Sequence, residues 1–284
     1  MSKYDEIRIF LDSDFRRLIG VKKKTFSKMM EVLHPIETKR RSLGGKKPRL
    51  CLEDRLLMSL EYLREYRTFF HLGQSYGFGE SGCFKICRWV ENAMIKSRAF
   101  SLPGKKALLN QDIDYVVVLV DATESPVERP KRKKLVKHGK NKQKEYYSGK
   151  KKRHTLKAQV VMDKKAARIM CTNFSEGKKH DIRLFKESGV RIKKDTEVKT
   201  DSGYQGIQKI HKNSQTPHKS SKNKKLTKEQ KQQNRKLARE RILNEHVIGK
   251  LKRFKIIAER YRNRRKRFGL RFNIIAGIYN FEFS

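Results

Sequence analysis

Three things are scarce in this 284-residue sequence: cysteine, carboxylates and long apolar runs. The four cysteines, Cys51, Cys83, Cys87 and Cys171, are too few to form a disulfide framework in a chain of this length. Cys83 and Cys87 stand four apart and could form a metal pair on a helix, but no second Cys or His pair lies at zinc spacing. A buried apolar helix face is the stronger reading of the two. No run approaches the length of a membrane span, and the opening "MSKYDEIRIF" lacks the pattern of a secretory leader. The sequence therefore points to a cytoplasmic protein with no membrane partner.

Carboxylates are outnumbered: 30 Asp plus Glu stand against 71 Lys plus Arg, a formal charge of +41. Self-repulsion on that scale calls for a polyanion, and a phosphate backbone is the obvious one. An A/T-rich genome, which favours lysine codons, would also raise lysine everywhere. Both causes apply, because the basic residues cluster in loops where no fold demands them. An anionic membrane is the weaker alternative, since no basic amphipathic helix stands at a terminus. Hydrophobic residues make up 36% of the chain, low but sufficient for a core and more than one folding unit.

The first hundred residues read as helices. "TFSKMMEVLHP" offers Thr25 as a cap and Phe26, Met29, Met30 and Leu33 on one face, with Pro35 as the stop. "IETKRRSLGGKKPRL" then reads as a basic loop. Leu52, Leu56, Leu60 and Leu63 resume helical spacing. A short helix from about Thr68 to Tyr76 should break at Gly77, and Ser81 should cap a second helix. That helix would bury Cys83, Ile86, Cys87, Val90 and Met94 and turn Lys85, Arg88 and Lys96 outward. A short helix, a glycine turn and a basic helix make a helix-turn-helix, at about residues 67–97. Any three-helix core contains similar turns; the charge tips the reading toward DNA.

Beyond residue 112 the texture changes. The run from Tyr115 to Val120 reads as a central buried strand delivering Asp121. A basic stretch at about 129–153, including Lys150, Lys151, Lys152 and Arg153, is either a solvated insertion or an arm that follows phosphates. "HTLKAQVVMD" and "ARIMCTNF" form a hairpin through a turn at Asp163 to Lys165. "SEGKKHDIRLFKESG" looks like a helix that Asp181 caps and Gly189 ends. "TEVKTDSGYQG" is a short strand that carries Asp201 into a turn, followed by a second basic stretch at about 211–226. Thr227 and Gln230 then make a capping box for a long helix.

On that helix Ala238, Arg241, Glu245 and Lys252 share one stripe, beside an apolar one of Leu243, Val247 and Leu251. Arg241 and Glu245 alone would be a surface ion pair worth tenths of a kcal/mol. Two strand-borne aspartates and one helix-borne glutamate can instead converge on divalent metal. Their hard oxygens suit Mg²⁺ or Mn²⁺, and two such ions can drive an in-line phosphodiester displacement.

"VDATE", "YSGKKKRHTLK", "GKKHD", "TDSGYQG" and "NRKLARERILNEHVIGKLKRFK" occur in that order. With them the chain resembles, over nearly its whole length, the DDE transposases of bacterial insertion sequences, of the insertion-sequence-five group. That family's last motif is Tyr-x2-Arg-x3-Glu-x6-Lys; Arg241, Glu245 and Lys252 match it, while Ala238 replaces the tyrosine. The resemblance implies an α/β fold: an RNase H-like mixed sheet flanked by helices over 112–284, preceded by an all-α helix-turn-helix domain over 1–100. It implies Mg²⁺-dependent (or Mn²⁺-dependent) cleavage at terminal inverted repeats by two ions on Asp121, Asp201 and Glu245. A DNA 3′-hydroxyl then attacks target DNA without a covalent protein intermediate. Arg241 and Lys252 would hold phosphates of the element end, and joining two ends implies at least a dimer on double-stranded DNA. "YRNRRKRFGLRFNIIAGIYNF" would close the domain as a helix, with Phe268, Ile275 and Tyr279 inward and arginines toward DNA. The competing readings are a catalytically inactive or repurposed DNA-binding protein and a nuclease acting on RNA or damaged DNA.

Overall fold

The computed structural model describes residues 2–131, 142–221 and 225–283. Parts of both basic stretches, 132–141 and 222–224, lie outside the described residues. The chain divides into two compact units that do not follow chain order. The first comprises Met1–Ser101, Leu251–Glu259 and Leu270–Glu282, and the second Leu102–Lys250, Arg260–Gly269 and the last two residues.

The first unit holds helices α1 (Lys3–Ile7), α2 (Asp12–Ile19), α3 (Lys23–Ser42), α4 (Leu52–Glu65), α5 (Phe69–Tyr76) and α6 (Glu80–Ser97). Leu52, Leu56, Leu60 and Leu63 of α4 are buried, as their spacing requires. Helix α3 differs from the sequence reading at both ends. It starts behind Lys22, and Thr25 lies inside it, its hydroxyl donating to Glu282 Oε1. It also runs through Pro35 to Ser42 instead of stopping. A proline inside a helix costs about 3 kcal/mol, offset here by contacts beyond it. Glu37, two residues on, is buried among guanidiniums, with Arg55 Nη2 at 3.0 Å and Arg40 Nη2 at 2.9 Å. Burial pushes the Glu37 carboxyl up, but these arginines more than reverse it and hold it at about 2.

Helices α5 and α6 form the expected helix-turn-helix, broken at Gly77, with Thr68 capping α5 through His71 N–H. Ser81 does not cap α6: Gly79 takes the extended cap position and Glu80 begins the helix, its carboxylate at the positive end of the dipole. Cys83, Cys87, Val90 and Met94 are buried, confirming the apolar reading of the cysteine pair, while Lys85, Arg88 and Lys96 are exposed.

The second unit is built on a six-stranded mixed sheet. Strand β1 (Val117–Pro126) pairs antiparallel with β3 (Arg153–Asp163) and parallel with β5 (Glu197–Thr200). β3 also pairs antiparallel with β4 (Arg168–Glu176) and with the short β2 (Tyr147–Ser148), which follows helix α7 (Lys142–Tyr146). β5 continues in parallel to β6 (Ser214–Gln215). This is the mixed order of an RNase H-like α/β domain. Helix α8 (Asp181–Ser188) packs Phe185 into a core with Val118, Val120, Val161, Val198 and Tyr204. Helix α9 (Lys228–Lys252) opens with the expected capping box: Gln230 N–H donates to Thr227 Oγ1, and Thr227 N–H to Gln230 Oε1. Its Glu240 receives Lys164 and Lys199, which fixes the helix against the sheet.

Helix α10 (Lys255–Ala258) belongs to the first unit, and α11 (Phe268–Phe283) supplies residues to both. Phe268, Ile275 and Tyr279 are buried as expected. Arg271 is not turned toward DNA: it is 5% exposed at its side chain and donates from Nε to Glu91 Oε1 at 2.6 Å. Arg271→Leu should therefore strand a buried carboxylate and lower stability by about 3–5 kcal/mol. Urea unfolding reads this directly, and the double variant Glu91→Leu/Arg271→Leu should lose less than Arg271→Leu alone.

Candidate active site

Parallel register brings the two aspartates together. Val120 of β1 is paired with Thr200 of β5, the last pair of that ladder. Asp121 and Asp201 are the next residue on each chain, so their Cα atoms start from a separation set by the interstrand distance of about 4.8 Å. Asp121 is not at a strand end, as the sequence suggested, because β1 runs on to Pro126 along β3. It stands where β5 leaves the sheet. Asp201 Oδ1 accepts from Gly203 N–H at 2.9 Å, so this aspartate caps the turn it enters. Asp121 Oδ1 accepts from Ala122 N–H at 2.8 Å. Burial, and then the Asp201 charge beside it, push the Asp121 carboxyl up to about 6.

Helix α9 presents Arg241 to this pair, with Nη2 3.9 Å from Asp121 Oδ2 and Nε buried without a hydrogen-bond partner. The surface ion pair between Arg241 and Glu245 does not form among the described residues; Arg241 turns inward instead. Leu237, Asn244, Val247 and Leu251 make the buried face of the helix, and Arg241 sits at its lip. Glu245, four residues on, is rotated about 40° further outward. It is exposed, and no group of three or more His, Cys, Asp or Glu is arranged to hold a metal ion among the described residues. Asp121 and Asp201 thus meet, while Glu245 stands outside. Ala238 is exposed on the same outer stripe. Lys252 ends the helix half-buried and belongs to the first unit.

The remaining basic candidates are surface residues. Lys85 and Arg88 are exposed on α6, Arg88 lying 5.7 Å over the Phe84 ring. Lys150, Lys151 and Lys152 lie in the exposed turn between β2 and β3, and Arg153, also exposed, begins β3.

Sequence reasoning missed a buried polar group beside the aspartates. Asp181 does not cap α8: His180 takes the cap position without a side-chain bond, and Asp181 is the first helical residue. Its Oδ1 instead faces Lys157 Nζ at 2.7 Å. Lys157 also donates to the Lys179 carbonyl at 2.6 Å and lies 3.9 Å from Glu124, whose Oε2 accepts from Thr155 Oγ1. Gly177 permits this fold of the chain, since a Cβ there would lie 1.9 Å from Thr155 Oγ1. Tyr204 is wholly buried beside the three aspartates, and its hydroxyl donates to Gln159 Oε1 at 3.4 Å. Burial and the charges of Asp181, Asp121 and Asp201 raise its proton affinity well above that of a free phenol. The available signal was Thr155, Lys157 and Gln159 alternating with Leu156, Ala158 and Val160 in a strand that is buried along most of its length.

Two carboxylates forced together in a buried corner create a deficit that a cation removes, and their oxygens are hard donors suited to Mg²⁺ or Mn²⁺. Asp121 and Asp201 therefore fit a divalent ion, with Glu245 the one expected member that stays apart.

The model of the DDE superfamily endonuclease family matches residues 120–280. The model of the helix-turn-helix of DDE superfamily endonuclease matches residues 48–100. The chain is 48% identical over 270 residues to a protein of Microchaete diplosiphon described as "Probable transposase for insertion sequence element IS702". That alignment covers 95% of this chain and 94% of the relative. No solved structure matches the chain.

The Asp121 carboxyl yields a stability prediction. Its folded value of about 6 lies above its ordinary 3.8, so the folded protein keeps this proton to higher pH than the unfolded chain does. Stability therefore falls as pH rises through that window and is level above it. In metal-free buffer at neutral pH, Asp121→Asn should be more stable than the parent by on the order of 2 kcal/mol. Below the ordinary value of 3.8 the difference should vanish; denaturant unfolding across the pH range checks both ends.

Proposed function

The chain belongs to the DDE superfamily endonucleases, and on that premise we propose that it is the transposase of an insertion sequence. It cuts DNA at the terminal inverted repeats of its element and joins the freed 3′ ends to target DNA with Mg²⁺ or Mn²⁺. The observation that carries this reading is the parallel register that sets Asp121 beside Asp201. The helix-turn-helix and endonuclease regions make it a DNA-binding protein, and no described helix is long and apolar enough to cross a membrane.

In the proposed mechanism Asp121 and Asp201 hold the divalent ions, and Glu245 joins them from α9. Bound there, two ions supply an activated attacking oxygen and a stabilised leaving oxygen for in-line displacement. The chain's own groups bind and orient the substrate. Arg241 compensates Asp121 in the absence of substrate and, with Lys252, holds phosphates of the element end through charge-assisted hydrogen bonds. Lys85 and Arg88 enter the major groove with α6. Lys150, Lys151, Lys152 and Arg153 neutralise backbone phosphates, a term that weakens steeply with salt. Residues 1–100 thus recognise DNA, residues 112–284 cut it, and pairing two ends requires at least two copies of the chain.

A second reading, DNA binding without catalysis, is favoured by one observation: Glu245 is exposed and apart from the aspartates. Cleavage of DNA carrying the element's own ends decides between them. The parent protein with Mg²⁺ should nick such DNA, and Asp121→Asn, Asp201→Asn and Glu245→Gln should each lose cleavage by about a thousandfold or more. Their DNA affinity and its salt dependence should be unchanged. Lys252→Ala should instead weaken end binding and leave the metal requirement as it was. A parent protein that binds ends but never nicks them, with Mg²⁺ or Mn²⁺, would establish the non-catalytic reading.

A further inference from the structure

Helix α6 carries a ring that its own core does not take in. Phe84 is 41% exposed on the first turns of the helix, outside the buried face of Cys83, Cys87, Val90 and Met94. A single exposed apolar side chain is ordinary on a protein surface, but this one is held in place. It meets the Phe69 ring edge to face, with 5.6 Å between centroids, and Phe69 in turn stacks on buried Tyr62 at 4.6 Å. Arg88, one turn on, sets its guanidinium 5.7 Å over the Phe84 ring and makes no ion pair among the described residues. Tyr62, Phe69, Phe84 and Arg88 thus form a ladder from the core of the helical unit to its surface.

The exposed residues of the same turns are Glu80, Ser81, Phe84, Lys85 and Arg88. Phosphates are held by cations, hydroxyls and amides, and neither Glu80 nor Phe84 offers them anything. Base edges are different: in the major groove the thymine methyl is an apolar contact, and guanine O6 and N7 accept a bidentate arginine. The first turns of the second helix in a helix-turn-helix are the ones that reach base edges. We propose that Phe84 and Arg88 together read the sequence of the element end, Phe84 packing on a thymine methyl and Arg88 bonding a nearby guanine. Four residues of helix rise about 6 Å, less than two base-pair steps of about 3.4 Å, so the two bases lie within two base pairs. Phe69 limits where the ring can go, and the ring limits where the guanidinium can go. Both groups are therefore ordered before DNA arrives and lose less freedom on binding, with Phe69 as their positioning residue. The inference rests on the reading of α6 as the helix that enters the major groove.

Binding of the full-length protein to duplex DNA carrying the element's own ends tests it, with each thymine replaced in turn by deoxyuridine, which removes only the methyl group. At one position or more the replacement should weaken the parent about fourfold, the effect of one buried methyl group, and leave Phe84→Ala unaffected. A guanine within two base pairs of that position, replaced by 7-deazaguanine, should weaken the parent about tenfold. Arg88→Lys, which keeps the charge but not the fork, should respond much less. Phe84→Gln, whose stem still covers Phe69, should behave as Phe84→Ala does; it is the deciding variant if circular dichroism shows Phe84→Ala to be unfolded. No methyl effect in a parent that still prefers end DNA to unrelated DNA overturns the inference and leaves α6 as a groove-entering helix. Equal methyl effects in the parent and the folded Phe84 variants overturn the role of Phe84. So does a Phe84→Ala protein that loses self-association without DNA yet keeps the methyl effect, which would make the ring a contact between copies. A parent that binds end and unrelated DNA equally would defeat the reading of α6 itself, and this inference with it.

Discussion

Four pairs of parallel ladder, Val117–Val120 against Glu197–Thr200, hold together two groups that repel each other. Arg241 and the Ala122 N–H relieve the Asp121 charge only in part and do not hold the two strands together. The apolar side chains behind them do, since Val118, Val120 and Val198 are fully buried and would lose that burial if the strands parted. The electrostatic cost is stored as the raised proton affinity of Asp121. Much of the polar structure nearby answers to that stored cost: Arg241 beside Asp121, Lys157 against Asp181, and Tyr204 kept protonated among all three aspartates. A site built this way has its affinity for positive charge before any substrate enters.

Helix α9 is set by a second constraint, further from the chemistry. Lys164 and Lys199 both bond Glu240 and hold its carboxyl at about 2. Together with Leu237, Val247 and Leu251 this fixes the rotation of the helix about its axis. Arg241 follows Glu240 directly and so reaches the lip of the buried face, whereas Glu245 points past it. The two stand about 40° apart around the helix and about 6 Å apart along it.

Much of this was legible in the sequence, for physical reasons that can be named. A β-branched run marks a buried strand, and Val118, Leu119 and Val120 are fully buried just before Asp121. Thr227 with Gln230, Leu52 to Leu63 and the Gly77 break are local patterns, and local patterns survive folding. The misses at Pro35, Thr25, Asp181 and Arg271 share a cause: each was read from its neighbours in sequence, and partners distant in sequence gave it another role. Thr25 is taken by Glu282, Asp181 by Lys157 and Arg271 by Glu91, while Pro35 is tolerated because Glu37 finds Arg55. Glu245 was read correctly as sharing a stripe with Arg241, but a stripe gives an angle on the helix and not which edge of it is buried.

The inclusion of Leu270–Glu282 in the same compact unit as the first hundred residues also bears on the order of synthesis. Glu91 waits for Arg271, and the N–H of Lys22 and the hydroxyl of Thr25 wait for Glu282, across the whole sheet-bearing stretch. At about 5–20 residues per second on the ribosome, that wait is on the order of ten seconds or longer. The sheet-bearing unit can therefore close most of its core before the helical unit closes its own. A nascent chain arrested before Leu270 lacks the Arg271 partner of Glu91 on α6, so translation itself withholds the finished helical unit until Leu270–Glu282 has been made.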